Sequence, residues 1–272
     1  MFEEAFKDFE LSENYQLKEN EEIKNGELFC KICGKQKSWN APNGKKYICI
    51  CDCRKKELDL QEQEILKQKR FERFITLQKN SLLGERFKSE SFENLNLERP
   101  KDFLNALNVS KSFVENWNKL KDKSCGIFYY GDCGTGKTEL TVCVGNALMQ
   151  QMVRVIFTSF VEILKQLLQN FKDNEIGQAE FIGNLVNCDL LVLDDLGSEN
   201  LSDWAKSKIY DVINGRYNSN KPTLFSSNYS LSELEQKGYE EKVLERIAEM
   251  TTYKLELRGG SFRKIKKEEK LF

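Results

Sequence analysis

Residues 131–138 carry the part of this chain whose chemistry is easiest to read. They match the pattern G-x-x-x-x-G-K-[ST], in which glycines let backbone N–H groups close around a phosphate. In such a P-loop the lysine reaches the β- and γ-phosphates, and the last hydroxyl binds Mg²⁺. We assign to ATP the loop and the residue after it, with Lys137 also catalytic and Thr138 also a magnesium ligand: Gly131, Asp132, Cys133, Gly134, Thr135, Gly136, Lys137, Thr138 and Glu139.

The residues on either side of the loop support this interpretation. An apolar stretch at 126–130 predicts a buried strand before the loop, and a helical pattern runs through Gln151 after it. The helix N-terminus adds its dipole to the phosphate site. The alternative is a glycine-rich turn that matches by chance, and the strand–loop–helix context argues against it.

Two further strands are predicted to end in polar residues. The apolar run 189–193 leads into Asp194 and Asp195, the pattern of a Walker B strand. We expect Asp194 to support Mg²⁺ and Asp195 to orient the attacking water. The strand at 223–227 is followed by Asn228, which can hold that water near the γ-phosphate, although an ordinary turn asparagine is the alternative.

Five of the nine cysteines fall between Cys30 and Cys53, as C-x-x-C and then C-x-C-x-C. The chain has no histidine, so a metal site here needs thiolates, and so short a segment needs metal for folding energy. A redox pair or buried thiols are the alternatives. We predict a zinc site, with Cys49 as a neighbour or alternate ligand. The favoured ligands are Cys30, Cys33, Cys51 and Cys53.

Three zones follow along the chain. Residues 1–53 form a polar start with the cysteine cluster, 54–80 read as one charged helical linker, and 81–272 alternate apolar strands with helices. That alternation predicts an α/β domain with a parallel sheet flanked by helices. The expected strands are 126–130, 153–159, 189–194 and 223–227.

Arginines mark two predicted helices and the C-terminal region. Arg216 ends the apolar face of a helix at 203–217, where it can cap helix carbonyls or reach nucleic acid or a neighbouring subunit. Arg246 lies at the edge of a second helix face, and Arg263 follows it. An arginine can stabilise the charge of phosphoryl transfer, in cis or in trans.

Composition and charge bear on where the protein is located and on what it can bind. No apolar run approaches the ~20 residues of a membrane span, and the acidic N-terminus does not read as a signal peptide. We therefore expect a cytoplasmic protein without a membrane partner. The net charge of −1 does not by itself indicate nucleic-acid binding, but the basic tail 264–270 is a candidate contact for single-stranded DNA.

Taken together, these residues resemble the DnaC/DnaI type of bacterial and phage replicative-helicase loader, within the AAA+ ATPases. The resemblance covers roughly residues 30–265. Besides the cysteine module, it is carried by the following segments: Ser81–Phe87, Ser91–Asn94, Gly131–Thr138, Leu190–Gly197 (LLVLDDLG), Asn214–Tyr217, Ser227-Asn228, Glu245–Ile247 and Gly260–Arg263.

The resemblance implies a role for each matching residue. Asn228 would be sensor 1, Arg246 the arginine finger acting on the next protomer, and Arg263 the sensor 2 arginine; residues 91–94 would lie near the adenine. The zinc module would grip a hexameric DnaB-type helicase. The AAA+ domain would bind ATP, Mg²⁺ and single-stranded DNA and would oligomerise. Only nine residues follow Arg263, so no separate helical lid and no C-terminal DNA-binding domain of an initiator are expected.

Two other functions compete. A transposition helper of the IstB type shares the AAA+ core but would not usually carry the cysteine module. The other is a P-loop enzyme that phosphorylates a small metabolite, but this sequence contains no motif for binding such an acceptor.

Most AAA+ proteins have Glu where this chain has Asp195. The shorter side chain changes how the attacking water is held, which predicts slow ATP hydrolysis.

Overall fold

The computed structural model describes residues 15–42, 45–170 and 174–262. Contacts divide the chain into two compact units, Met1–Phe71 and Glu72–Phe272. Among the described residues, no helix combines the length and apolarity needed to cross a bilayer.

The smaller unit is built from two short antiparallel hairpins followed by a helix. Strands β1 (Glu21–Lys24) and β2 (Glu27–Cys30) form the first hairpin, and β3 (Ser38–Asn40) and β4 (Lys46–Ile48) form the second. The first hairpin turns at an Asn-Gly pair with positive φ at both residues, the geometry favoured in two-residue hairpin loops. These strands are three or four residues long, too short for the sequence pattern to reveal.

The predicted charged helix is α1 (Asp52–Asn80), 29 residues long. None of its residues is fully buried, as expected from its sparse apolar positions. Within the larger unit, Phe74 and Leu77 are partly buried and pack against the core. The last turns of α1 therefore belong to the larger unit.

The larger unit alternates helices and strands, as the apolar rhythm predicts. Two short 3-10 helices, Glu85–Phe87 and Phe92–Asn94, come first. The elements that follow are α2 (Lys101–Glu115), α3 (Trp117–Leu120), β5 (Gly126–Gly131), α4 (Lys137–Gln150), β6 (Val155–Thr158), α5 (Phe160–Asn170), α6 (Glu175–Asn187), β7 (Leu190–Leu196), α7 (Asp203–Asn218), β8 (Thr223–Ser227), α8 (Leu231–Gln236), α9 (Glu241–Met250) and β9 (Thr251–Leu257).

The described strands of this unit form one parallel sheet in the order β6-β7-β8-β5-β9. The predicted α/β class is confirmed, and all four expected strands form. The edge strand β9 was not expected, because it follows α9 with no turn residue between them and exposes most of its side chains. It nevertheless pairs with β5 along its length.

The sheet is covered on both faces. Side chains of a strand alternate between faces, and in β5 Ile127 and Tyr129 join one apolar cluster while Phe128 joins the other. The first cluster includes residues of α2 and α4, and the second includes residues of α5, α7 and α9. The carboxyl ends of the parallel strands therefore meet at one edge, between two helical layers.

Arg216 is fully buried at the end of the predicted apolar face of α7. Its Nη1 donates to the carbonyl oxygens of Leu185 and Cys188, both at 2.9 Å, and its Nε donates to Thr223 Oγ1 at 2.8 Å. Its Nη2 donates to the carbonyl of Pro222. Of the two roles left open for this arginine, carbonyl capping is the observed one. It acts on the end of α6 and the approaches to β7 and β8, rather than on its own helix.

Replacing Arg216 by Met should lower the free energy of unfolding by about 3 kcal/mol or more, because several buried carbonyls lose their donor. Urea unfolding followed by circular dichroism measures the change. Arg258→Met is the matched control, since the Arg258 side chain is 74% exposed. Equal stability of the two variants would contradict the structural role of Arg216.

Candidate nucleotide and metal sites

The P-loop connects the end of β5 to the start of α4. Gly131, Gly134 and Gly136 have φ of 121°, 81° and 102°, a region that other residues rarely adopt. A side chain at Gly134 would also overlap Ser261, which lies against the loop. The three glycines thus permit a tight loop whose N–H groups can face an anion at the start of a helix.

Lys137 is largely buried at the base of the loop. Its Nζ donates to the carbonyl oxygens of Gly131 at 2.8 Å and Asp132 at 2.7 Å. Burial lowers the pKa of Lys137 below its ordinary value, and the nearby acidic groups, Asp195 and Asp194 among them, oppose that shift. An ammonium has three donors, so two hold the side chain in place and one is left for a phosphate.

Thr138 and Asp194 meet across the carboxyl edge of the sheet. The Thr138 hydroxyl donates to both carboxylate oxygens of Asp194, at 3.0 and 3.1 Å. Ser226, near the end of β8, donates its hydroxyl to the same carboxylate. A carboxylate beside a threonine hydroxyl offers the oxygen ligands that Mg²⁺ uses together with phosphate oxygens.

A bulge in β7 separates the two acidic residues. Opposite β8, the register runs from Leu193↔Phe225 to Leu196↔Ser227, so β7 has one extra residue there. Asp195 has φ of +57°, and its N–H donates to Ser226 Oγ at 3.0 Å. The consecutive carboxylates of Asp194 and Asp195 have different hydrogen-bond partners, Thr138 and Ser226 for the first and Asn228 for the second.

Asp195 pairs with the residue expected to share its water. The Asn228 side-chain amide donates to Asp195 Oδ1 at 3.1 Å. Asn228 follows β8, so neighbouring strands β7 and β8 bring the two groups together. This places a carboxylate and an amide side by side on the wall of one cavity.

That cavity has a volume of about 480 Å³ and contains most of the predicted nucleotide residues. It is lined by Arg86, Phe87, Glu90, Arg99, Cys133, Gly134, Gly136, Lys137, Thr138, Glu139, Asp194, Asp195, Ser226, Asn228 and Phe262. Its size, and walls that combine charged side chains with apolar surface, suit a nucleotide.

Several lining residues escaped sequence reasoning. Phe87 and Glu90 line the cavity, whereas the described segment 91–94, expected near the adenine, does not. The Asn146 side chain on α4 donates to the carbonyls of Phe87 and Glu90, at 2.9 and 2.7 Å, and so holds this segment at the cavity. An apolar-to-polar break inside α4 was the one signal that marked Asn146 in the sequence.

Of the two arginines predicted to act in phosphoryl transfer, Arg246 lies within the described residues and Arg263 does not. Arg246 on α9 does not line the cavity. Its Nε donates to Asn214 Oδ1 at 3.0 Å, and its guanidinium lies 5.1 Å from the ring centre of Tyr210. Arg263 and the basic tail 264–270 lie outside the described residues.

Four cysteines cluster in the smaller unit. Among the described residues, Cys30, Cys33, Cys51 and Cys53 bring their sulfurs within 4.8 Å of one another, and Cys49 is not part of the group. Cys53 lies 3.3 Å from the Cys30 sulfur and 3.1 Å from that of Cys51. Four thiolates about 2.3 Å from a zinc ion are separated by about 3.8 Å, so the four sulfurs are close enough together to share one metal ion.

The backbone around Cys30 favours its ionised form. The N–H of Cys33 is the main cause that lowers the pKa of Cys30, to about 6. The thiolate is the form of cysteine that binds metal. Gly34, with φ of +68°, follows the first pair and turns the chain there.

Comparison with known proteins identifies a matching protein family and several similar proteins. The model of IstB-like ATP-binding proteins matches residues 61–270. The replicative helicase loader DnaC of Escherichia coli (strain K12) is 27% identical over 157 residues, which cover 58% of this chain and 62% of the relative. The replicative helicase loader DnaI of Bacillus subtilis (strain 168) is 25% identical over 175 residues, covering 62% of this chain and 55% of the relative.

A solved structure agrees with these sequence matches. The crystal structure of the DnaC helicase loader superimposes with a TM-score of 0.58 and 28% identity, over 64% of this chain and all of that chain. The match to the two curated loaders spans 55–62% of their length.

Proposed function

This chain belongs to the family of IstB-like ATP-binding proteins, and from that premise we propose that it is an AAA+ ATPase that loads a DnaB-type replicative helicase onto single-stranded DNA. The observation that carries the proposal is the contact between Thr138 and Asp194, which joins the P-loop to the Walker B strand on the wall of a cavity of nucleotide size. The loader names of the relatives point to the use of that site.

In the proposed site, the P-loop holds the phosphates of ATP. Thr138 and Asp194 would hold Mg²⁺, which supplies positive charge against the developing charge of phosphoryl transfer. Ser226 orients Asp194 through the hydrogen bond between them. Lys137 contributes its remaining N–H to the β- and γ-phosphates.

Asp195 and Asn228 would position the attacking water. Their contact at 3.1 Å puts an acceptor and a donor next to each other, and water attack on the γ-phosphorus then releases ADP and phosphate. Asp195 carries one methylene fewer than the glutamate common in AAA+ proteins, so its reach toward the water is shorter. We therefore expect slow hydrolysis, suited to a switch, and stimulated by single-stranded DNA.

Arg246 supports an assembly of several copies. It lies outside the lining of its own cavity and is half-buried, held by Asn214 and the rings of Tyr210 and Tyr217. An arginine fixed in this way can act on ATP bound by the next protomer. Hydrolysis would then require neighbouring subunits, as the resemblance to oligomeric loaders implies.

The smaller unit would bind the helicase. We assign residues 1–53 to a zinc-binding, helicase-interacting module, 54–80 to a helical linker whose last turns pack on the core of the larger unit, and 81–272 to the ATPase domain. The support is the four-sulfur cluster in a unit whose strands are too short to enclose much core. Zinc at the cluster would supply the missing folding energy.

A transposition helper is the second candidate, because the family is described by IstB-like proteins. The loader function is favoured by the names of the relatives and by the cysteine cluster, which an IstB-type helper would not usually carry. The two functions differ in their protein partner, a replicative helicase or a transposase.

The full chain should bind the replicative helicase of the same genome in the presence of ATP and load it onto circular single-stranded DNA. Lys137→Ala should abolish nucleotide binding or hydrolysis and loading, while Lys119→Ala, an exposed lysine on α3, should leave them unchanged. Co-sedimentation and helicase-loading assays measure this. The loader function would be refuted if the chain bound ATP but did not bind the helicase, or if it bound a transposase instead.

Arg246→Ala should abolish hydrolysis and leave ATP binding near normal, because the arginine would act only across a subunit boundary. Mixing inactive Arg246→Ala with inactive Lys137→Ala should restore part of the activity, since some boundaries then combine an intact P-loop with an intact arginine. Steady-state ATPase assays of each variant and of the mixture provide the measurement. Loss of ATP binding by Arg246→Ala would remove its role as a finger.

Metal analysis of freshly purified protein should find about one zinc per chain, following the four-thiolate rule. Replacing Cys30 and Cys33 together by serine should remove the metal and unfold the smaller unit. Cys49→Ser is the control and should retain zinc, because Cys49 is outside the cluster. Protein that contains no zinc, or a Cys49 variant that loses it, would contradict this site.

A further inference from the structure

Arg99 lies in the wall of the P-loop cavity, just before α2. Its side chain is only 3% exposed. The guanidinium carbon is 4.6 Å from the ring centre of Phe103 and 4.2 Å from that of Phe262. Two aromatic rings therefore fix the guanidinium, and both contacts favour its positive charge.

The two terminal nitrogens of Arg99 have different surroundings. Nη2 donates to Glu139 Oε2 at 2.8 Å. Nη1 is buried and has no hydrogen-bond partner among the residues that the structure describes. A buried N–H without a partner is costly and uncommon, so an acceptor supplied by a ligand is a direct explanation for it.

The unpaired nitrogen lies next to the phosphate-binding loop. A Cβ built on Gly136 would be 3.2 Å from Nη1, and Glu139 lies in the first turn of α4. The loop N–H groups of a P-loop cradle the α- and β-phosphates. Among the described residues, no hydrogen bond joins Arg99 to Thr138 or Asp194, the groups at the magnesium end.

We propose that Arg99 is a ligand of the nucleotide, donating Nη1–H to an oxygen of the α-phosphate. This inference rests on the proposed nucleotide function and deepens it. The pair with Glu139 and the two rings hold the guanidinium in position beforehand, so little side-chain freedom is lost on binding. ATP and ADP both carry an α-phosphate, so Arg99 would hold the two nucleotides equally and would not distinguish them.

The test is titration of the full chain with Mg-ATP and with ADP, followed by calorimetry. Arg99→Gln should lower the affinity for both nucleotides by about tenfold or more, because a hydrogen bond between charged groups is lost. The ratio of the two affinities should stay as in the wild type. Arg154→Gln, an exposed arginine that does not line the cavity, is the matched control and should bind both nucleotides normally.

The conservative variant Arg99→Lys guards against misfolding. It keeps the charge and the aliphatic stem but lacks the planar fork, so its affinities should fall between those of Arg99→Gln and the wild type. Thermal unfolding without nucleotide checks that each variant is folded. A folded variant with wild-type affinity for both nucleotides would overturn the proposal and leave the nucleotide function intact.

Two other outcomes are separable. A loss confined to ATP would place Arg99 at the γ-phosphate and overturn the α-phosphate assignment. Failure of the wild-type chain to bind any nucleotide would overturn the proposed function itself, and the Arg99 inference with it.

Discussion

The hydrogen bonds between Thr138 and Asp194 join the start of α4 to the end of β7, and the candidate nucleotide site depends on that junction. The two residues come from separate segments and meet because parallel strands end at the same edge of the sheet. Ser226 completes the junction from β8, by donating to Asp194 and accepting from the N–H of Asp195. One serine thus fixes both acidic residues, through a side-chain contact for one and a backbone contact for the other.

The buried interior supports this edge from a distance. Arg216 binds Thr223 and Pro222 at the beginning of β8, and Ser226 lies three residues further along the same strand. The arginine also holds the end of α6 through the carbonyl of Leu185. A charged group that satisfies several buried carbonyls resists sliding of the strand, because any shift would leave those carbonyls without a donor. The register that places Ser226 is therefore secured by Arg216 at the start of β8 and by the hydrogen bonds of Ser226 itself near its end.

The smaller unit follows a different principle. Its strands contain three or four residues each, and several large apolar side chains, including Ile32 and Trp39, are exposed. Apolar burial between strands this short offsets only part of the entropy lost when the chain becomes ordered. The convergence of four cysteine sulfurs gives this unit a means of stabilisation other than apolar burial.

Local patterns predicted much of this protein. Features built from residues that are close in the chain could be predicted, because spacing there reflects the period of a helix or a strand. They are the P-loop, the two acids near the end of β7, the four expected strands and the apolar face of α7. Spacing also selected Cys30, Cys33, Cys51 and Cys53, whose sulfurs the fold brings together. The residues 91–94, expected near the adenine on resemblance, do not line the cavity, whereas Phe87 and Glu90 do.

Other features were decided only by the tertiary structure. The bulge at Asp195, the double role of Ser226 and the edge strand β9 depend on pairing between distant strands. Arg216 was compatible with two roles until its burial was known. Arg99 showed no signal at all, because its environment comes from α2, the first turn of α4 and Phe262 near the end of the described chain. The sequence by itself determined which chemical groups are present and the local elements that carry them; the tertiary structure decided which of them face one another, since contacts between distant segments follow from sheet order and register rather than from spacing along the chain.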